Sequence, residues 1–246
     1  MITTTPGLVL RSIKYGETSL VTTVFTRTYG VQTYLVQGVR LANAKSRQSR
    51  AGLLQPAQLL DLTVYHKPGK SLQWMKEFSA AYLYGSLQEE VVKNSVALFS
   101  VELIYRLLPE DAPQPELFDF VREYFEVLDR LPAANVANFP LFFAIQCSRA
   151  LGYEIGGRFS EQTPHLNLHE GGFTQEAPVI QSHVSDEDAS ALNDLLMARE
   201  FAEITRIEMN GAMRQRLLEW YIAFLQRHTE HMKPIRSLAV LQAVLH

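Results

Sequence analysis

The sequence predicts an α+β fold in which a small N-terminal β-barrel precedes an α-helical domain. Over residues 1–80 apolar and polar residues alternate with the period of two that is typical of β-strands. Beyond residue 80 the apolar residues recur every three or four positions, as they do on one face of an α-helix. The 246 residues, of which 47% are hydrophobic, are enough to build two domains with cores of their own. We therefore assign residues 1–80 to the barrel and residues 81–246 to the helical domain.

Five strands are expected in the first domain, because five stretches are rich in Val, Thr, Leu and aromatic residues or alternate in polarity. These stretches are residues 7–13, 18–26, 31–37, 60–65 and 71–78. The turn-forming sequence Lys67-Pro68-Gly69-Lys70 joins the last two. Five short strands indicate a closed barrel, and the OB-fold is a five-stranded barrel that binds oligonucleotides. We therefore predict an OB-fold over residues 1–80.

The segment between the third and fourth strands is strongly basic. Residues 40–52 have almost no apolar side chains, so an exposed loop is expected there. No Asp or Glu occurs between Glu17 and Asp61, whereas five cations do: Arg27, Arg40, Lys45, Arg47 and Arg50. Residues 1–80 carry ten Lys or Arg and three acids, a charge of +7, and the remaining residues carry thirteen and twenty-three, a charge of −10. Such a basic block suits the phosphate backbone of a nucleic acid, and an ordinary solvated surface is the alternative.

Aromatic residues are interleaved with these cations, and stacking on aromatic rings is how single strands hold their bases on proteins. The predicted DNA-binding residues are Arg11, Lys14, Tyr15, Arg27, Tyr29, Tyr34, Arg40, Lys45, Arg47 and Arg50. Tyr15 precedes a glycine and is expected in an exposed turn, while Tyr29 and Tyr34 fit core packing and base stacking equally well. Trp74 alternates in phase with Leu72 and Phe78, which favours burial in the barrel.

Apolar residues at helical spacing predict the helices of the second domain. We place them at residues 91–108, 115–131, 139–151, 186–196, 212–227 and 234–245. Pro115 and Pro132 suit the start and end of the second helix, and Gly152 suits the end of the third. Residues 153–184 contain Gly, Pro and His without a helical period, so a hairpin inserted into the helical domain is expected.

The sequence lacks the motifs of common enzymes. No Gly-x-x-x-x-Gly-Lys phosphate loop, Gly-x-Gly-x-x-Gly motif or Gly-x-Ser-x-Gly elbow occurs. The best metal ligands are Cys147, His165, His169 and His183, but their spacing is not that of a zinc site. We therefore expect no enzymatic activity, no cofactor and no metal. The single cysteine and the absence of a signal sequence favour the cytosol.

The order of motifs resembles the RecO family of bacterial recombination mediators. The segments that carry the resemblance are Gly7-Leu8-Val9-Leu10, Tyr15-Gly16-Glu17-Thr18-Ser19-Leu20, Val24-Phe25-Thr26, Tyr29-Gly30, Gly38-Val39-Arg40, Lys45-Ser46-Arg47 and Leu54-Gln55-Pro56. The helical part is similar more loosely, through Leu151-Gly152-Tyr153 and a basic C-terminal end. The series covers the N-terminal domain in a fixed order and is therefore more specific than one short motif.

The resemblance implies an N-terminal OB-fold and a C-terminal helical domain. It also implies binding of single- and double-stranded DNA, strand annealing, and cooperation with RecR to load RecA onto DNA coated by single-stranded-DNA-binding protein. Such a protein would act in the bacterial cytosol in association with the nucleoid. The alternative is an adaptor whose OB-like barrel binds protein and has no direct role on DNA.

The chain departs from many members of the family in its cysteines. These members carry four cysteines after the Leu-Gly-Tyr stretch and bind zinc there, whereas residues 153–185 contain no cysteine. Zinc should therefore be absent. Packing around Leu166, Leu168, Phe173 and Val179 would have to hold the insert instead.

The family also suggests that the helical domain docks the acidic, phenylalanine-ended tail of single-stranded-DNA-binding protein. Such a tail needs an apolar surface beside cations. The helix from Ala212 has Met213, Leu217 and Phe224 on one face, and residues 211–236 are locally basic. The predicted tail-binding residues are Arg214, Arg216, Tyr221, Arg227, Lys233 and Arg236. The alternative is that the apolar face is plain core.

Overall fold

A computed structural model describes residues 1–40, 47–178, 183–184, 186–229 and 232–245, and it has the predicted α+β fold. The strands of the first domain are β1 (Ile2–Tyr15), β2 (Ser19–Thr26), β3 (Gly30–Val36), β4 (Leu59–Tyr65) and β5 (Gln73–Ala80). The α-helices in the described ranges are α1 (Arg47–Gly52), α2 (Val91–Leu107), α3 (Pro115–Arg130), α4 (Phe139–Ala150), α5 (Asp186–Met197), α6 (Phe201–Ile204), α7 (Gly211–His228) and α8 (Ser237–Val244). A small sheet contains β6 (His165–Asn167), β7 (Gly172–Thr174) and β8 (His183–Val184).

The five N-terminal strands close into a barrel in the order β1-β2-β3-β5-β4. The β3–β5 pair is parallel and the other pairs are antiparallel. Alternate residues face inward, and the buried core includes Val9, Val24, Leu62, Val64 and Met75. This arrangement confirms the predicted five-stranded, OB-like barrel.

The predicted loop over residues 40–52 contains a helix at its end. Helix α1 occupies Arg47–Gly52, a segment of Arg, Gln, Ser, Ala and Gly. Arg, Gln and Ala favour helices, but a helix without apolar residues has no hydrophobic period to be recognised in the sequence. The loop prediction was therefore wrong for this part of the segment.

The chain forms two compact units. The first comprises Met1–Leu87 and Leu107–Asp129, and the second comprises Gln88–Arg106 and Arg130–His246. Within the first unit, the rings of Phe25 in β2 and Phe118 in α3 meet edge to face with centroids 5.4 Å apart. The strands of the barrel end at Ala80. The division into domains at residue 80 remains a prediction.

A glycine allows the turn before β3 to approach the same unit's residue Ala112. Gly30 has a φ of +67°, which favours glycine, and a Cβ placed on it would lie 2.3 Å from the carbonyl oxygen of Ala112. No side chain fits there without movement of the backbone. The Tyr29-Gly30 sequence therefore serves both the turn and this close contact.

In the second unit, α4 and α7 pack around buried aromatic residues, and the small sheet lies in the predicted insert. Its strand order is β7-β6-β8. Leu166 is fully buried, and Phe173 is nearly so. The backbone N–H of Phe173 donates to the carbonyl of Gly156 at 3.0 Å, and the Gly156 N–H donates to Gly171 at 2.8 Å. Of the four residues predicted to pack this segment, Leu166 and Phe173 are buried, Leu168 is half-buried, and Val179 lies outside the described residues.

Candidate nucleic-acid interface

Two cations and an aromatic ring are exposed along the last part of β1, toward the loop that joins β1 to β2. Arg11 is exposed on β1, where Thr23 is its partner on β2. Lys14 and Tyr15 are exposed at the end of the same strand, and 57% of Tyr15 is accessible. The exposed turn predicted for Tyr15 is therefore present. Neither Arg11 nor Lys14 forms an ion pair with any residue in the described ranges.

Arg40 holds this loop from the other side. Its backbone N–H donates to the carbonyl of Thr18 at 2.9 Å, and its Nη1 donates to the carbonyl of Gly16 at 3.1 Å. A guanidinium has five N–H donors, so the bond to Gly16 leaves several for another acceptor. The sequence-predicted residues Lys14, Tyr15 and Arg40 are thus gathered at one loop, although Arg40 lies 24 residues from Gly16 in the chain.

Two of the predicted DNA contacts are engaged inside the first unit. Arg27 makes a two-point ion pair with Asp119, in which Nε–Oδ1 is 2.8 Å and Nη2–Oδ2 is 2.9 Å. The hydrogen bond from Arg27 also lowers the pKa of Asp119. The ring of Tyr29 stacks on the imidazole of His66 with centroids 3.9 Å apart. A phosphate or a base would have to displace these partners.

Tyr34 belongs to the barrel core, and the prediction that it contacts DNA was wrong. Its side chain has no exposed surface, and burial raises the pKa of its hydroxyl. Its position in β3 alternates with outward-facing Thr33, so its ring points to the interior. A base cannot reach a ring in this position. The sequence fitted core packing and base stacking of Tyr34 equally well, and the structure shows core packing.

The remaining basic residues are only partly described. Lys45 lies outside the described residues, as does the side chain of Arg47. Arg50 is exposed at the end of α1, and its guanidinium lies over the ring of Phe78, 5.3 Å from the centroid. Arg50 is therefore held against the barrel by a cation–π contact.

The sequence-based placement of Trp74 was also wrong. It was expected in the core, but 48% of it is exposed. The pairing of β4 with β5 shifts by one residue, because Thr63 lies opposite Glu77 while Val64 lies opposite Met75. This bulge changes the phase of the alternation, so that Met75 and Phe78 both pack toward the core while Trp74 points outward. The strict alternation assumed from the sequence gave the opposite orientation.

The predicted tail-binding surface of the helical domain is also partly occupied. Tyr221 is buried and its hydroxyl hydrogen-bonds to Ser148, so its assignment to a docking surface was wrong. Arg216 makes a two-point ion pair with Asp188, with both distances 2.8 Å. Arg227 contacts Nδ1 of His169.

Arg214 differs from the other cations of α7. It is half-buried, Nε donates to Oδ1 of Asn138 at 2.9 Å, and Nη2 donates to the carbonyl of Met209 at 2.8 Å. Burial lowers its pKa, and no carboxylate of the described residues pairs with it. It borders a groove of about 290 Å³ between α7 and α8 that also contains Leu218, Leu241 and Leu245. Lys233 and Arg236 are exposed before α8.

Two family models match the chain in succession. Residues 1–84 match the model described as Recombination protein O N terminal, and residues 88–156 match Recombination protein O C terminal. The chain belongs to the RecO family. Its role therefore lies in DNA recombination and repair, which confirms the resemblance read from the sequence.

Relatives from several bacteria are similar to this RecO-family chain over nearly its whole length. The DNA repair protein RecO of Christiangramia forsetii is 26% identical over 248 residues, which cover 99% of each chain. The protein of the same name from Phocaeicola vulgatus is 27% identical over 244 residues, 98% of each chain. The DNA repair protein RecO of Salinibacter ruber is 28% identical over 250 residues, which cover 99% of this chain and 94% of the relative.

The metal prediction for this RecO-family chain remains a prediction. Within the described residues no group of three or more His, Cys, Asp or Glu side chains is placed to hold a metal ion. Cys147 is buried, and burial raises the pKa of its thiol. Separately, none of the helices in the described ranges is long and apolar enough to cross a membrane.

Proposed function

We propose that this RecO-family protein is a recombination mediator that binds single- and double-stranded DNA through its barrel. It anneals strands, and with RecR it helps to load RecA onto DNA coated by single-stranded-DNA-binding protein in the bacterial cytosol. Its chemistry is association and not catalysis. The observation that carries the proposal is that Lys14, the exposed Tyr15 and Arg40 lie at the loop between β1 and β2, with Arg11 exposed further along β1. Among the described residues none of these three cations has a carboxylate partner.

The charge distribution supports contact with a polyanion. The first 80 residues carry +7 in a chain whose net charge is −3. Each cation that neutralises a phosphate releases counterions, which favours binding at low salt whatever the DNA sequence. Arg27 is omitted from the proposed interface because Asp119 already neutralises it. An adaptor without a DNA role would show no such salt dependence.

The test measures the affinity of labelled single strands and duplexes over a range of salt concentrations. Replacing Arg11, Lys14 and Arg40 by Ala should weaken binding to both DNA forms. For single strands, the log-affinity against log-salt slope should fall by up to about 0.7 for each lost contact. A second variant, Arg40, Lys45, Arg47 and Arg50 to Ala, extends the test to the basic segment.

A matched control removes three exposed cations from the second unit, Arg158, Arg199 and Arg206. This variant loses the same net charge as the first variant but leaves the barrel unchanged. It should bind DNA nearly as the wild type does. Equal losses in the two triple variants would show that net charge alone governs binding and would remove the barrel from the proposal.

The tail of single-stranded-DNA-binding protein remains a proposed partner, and the groove at Arg214 is the proposed place. A phenylalanine side chain would pack against Leu218 and Leu241, and the terminal carboxylate would face Arg214. Arg214→Gln should weaken the binding of an acidic, phenylalanine-ended peptide at least tenfold, whereas Arg214→Lys should retain part of it. Wild-type affinity in a folded Arg214→Gln variant would place the tail elsewhere.

A further inference from the structure

Two exposed aromatic rings lie side by side on the outer surface of the barrel. Tyr65 ends β4 and Trp74 lies near the start of β5, and the two residues are cross-strand partners. Their exposed fractions are 39% and 48%. Side chains of antiparallel partners point to the same face, with Cβ atoms about 4.5–5.5 Å apart. In the described part of the chain no other aromatic ring is stacked on either of them, and each keeps a large exposed fraction.

The strand register extends this surface toward β1 and not toward β3. Tyr65 is the partner of Ile2 on β1, and Trp74 is the partner of Leu35 on β3. Ile2 is 53% exposed, whereas Leu35 is nearly buried. Exposed apolar side chains therefore lie next to one another on three neighbouring strands, β1, β4 and β5. Contiguous apolar surface of this kind marks a place where another molecule binds.

A basic loop borders the rings. Residues 66–72 join β4 to β5 and contain Lys67 and Lys70 but no acid. Both lysines are exposed, and among the described residues neither forms an ion pair. Lys76, further along β5, has its ammonium 3.8 Å from Glu77 and is therefore less available. Two cations thus lie in the loop directly before Trp74.

A buried glutamine fixes the position of this loop. The side chain of Gln73 is almost fully buried. Its Oε1 accepts the backbone N–H of Lys67 at 3.0 Å, and its Nε2 donates to the carbonyls of Lys67 at 2.8 Å and Lys70 at 2.9 Å. The loop is therefore ordered before any ligand binds, which reduces the entropy lost on binding.

We propose that Tyr65, Trp74, Lys67 and Lys70 form a platform for single-stranded DNA. Unpaired bases stack on the two rings, and the adjacent phosphates contact the two lysines. The combination of exposed rings with lysines that have no ion-pair partner among the described residues favours this occupant, because a purely apolar partner would gain nothing from the lysines. The inference deepens the proposed function, since it rests on DNA binding and assigns the recognition of unpaired bases to residues outside the Arg11–Arg40 group.

The first experiment follows the fluorescence of Trp74. The chain has two tryptophans, and Trp220 is buried in the second unit, so Trp220→Phe leaves Trp74 as the sole emitter. Oligothymidylate should quench this emission saturably. A base-free deoxyribose-phosphate strand of the same length carries the same charge but has nothing to stack, and it should quench little. Equal quenching by both strands would overturn the stacking proposal.

The second experiment compares affinities for single strands and duplexes. Tyr65→Ala and Trp74→Ala should each raise the Kd for oligothymidylate by about 5- to 140-fold, the range for one stacked base. Duplex affinity should not change, because paired bases cannot stack on the rings. Trp74→Phe should restore much of the loss. Leu83→Ala, at another exposed apolar residue of the first unit, is the control and should have no effect.

The outcomes separate the two proposals. If wild-type protein binds DNA and a folded Tyr65→Ala/Trp74→Ala variant binds single strands equally well, the platform is refuted while the proposed function stands. If the wild type binds neither form of DNA at low salt, both proposals fail. Equal losses for single strands and duplexes would also refute the platform, because they would indicate a general effect and not base stacking.

Discussion

Replacing Asp129 by Asn tests whether one buried carboxylate holds the segment that follows the barrel. Asp129 is nearly buried in the last turn of α3. Its Oδ1 accepts the backbone N–H groups of Ser86 at 2.9 Å and Leu87 at 2.8 Å, and its Oδ2 accepts that of Gly85 at 3.0 Å. The hydroxyl of Tyr82 lies 3.3 Å from Oδ2. One side chain therefore satisfies three consecutive backbone donors.

The stability lost in Asp129→Asn depends on how many backbone N–H groups lose their acceptor. In the Asn variant one oxygen becomes an NH2 group, and the least costly rotamer leaves Gly85 without its acceptor. Because Gly85 is exposed, water can accept its N–H at little cost. A neutral oxygen binds the N–H groups of Ser86 and Leu87 more weakly than a charged one, by about 1 kcal/mol each. We expect the free energy of unfolding of the first unit to fall by about 1–3 kcal/mol.

The same change has a defined pH dependence. Burial opposes ionisation of Asp129, but the hydrogen bonds from Gly85, Ser86 and Leu87 outweigh it and hold its pKa below the ordinary value of 3.8. Such a carboxyl contributes stability above its unfolded pKa and loses that contribution as pH falls through its folded pKa. Asn does not titrate. The stability difference between wild type and variant should therefore be constant above about pH 5 and narrow below pH 3.8.

The assay combines urea unfolding followed by circular dichroism with hydrogen exchange at residues 85–87. The variant should show a lower unfolding midpoint at pH 7 and faster exchange of these amides. Leu83→Ala is the control for a change in the same segment at an exposed position. Unchanged exchange and an unchanged midpoint would refute the reasoning, because they would mean that the carboxylate is not what orders the segment.

Three further predictions follow from the structure. Gly30→Ala should destabilise the first unit by about 1–3 kcal/mol in urea unfolding, because its Cβ would meet Ala112. Gly16 has a similar φ, but a Cβ added there would meet no atom within 4 Å, so Gly16→Ala should destabilise the first unit clearly less. Equal losses of stability in the two variants would show that φ alone matters. Arg216→Gln should leave tail-peptide affinity unchanged because Asp188 already pairs with Arg216, and a tenfold loss would return the tail to this surface. Elemental analysis of purified protein should find less than a tenth of an equivalent of zinc; one equivalent, with unfolding on chelation, would contradict this.

The sequence predicted the strands well because local alternation and turn residues specify them. Every predicted strand overlaps a strand of the barrel. The facing of Trp74 could not be predicted, since the bulge opposite Thr63 and Val64 depends on how two strands pair and not on either strand alone. Helix α1 was missed because its face carries no apolar residues.

The candidate sites were predicted less well, because their availability depends on partners distant in the chain. Arg27 and Asp119 are 92 residues apart, and Arg216 and Asp188 are 28 apart. No local sequence pattern predicts such ion pairs. Charge composition identifies the basic segment, but only the folded chain distinguishes a neutralised cation such as Arg27 from Lys14, which has no ion-pair partner among the described residues.

If phosphates and bases are held by separate contacts, as proposed, this separation would affect the proposed strand annealing. Cations such as Arg11 and Arg40 would hold single strands and duplexes alike, whereas Tyr65 and Trp74 would hold only unpaired bases. A base stacked on a ring engages its face and leaves its Watson–Crick edge open to a complementary strand. Once pairing occurs, the bases stack on each other and leave the rings, so the product retains only the phosphate contacts. Stacking on the platform would therefore favour the binding of the reactants over that of the annealed product, which would promote release of the duplex.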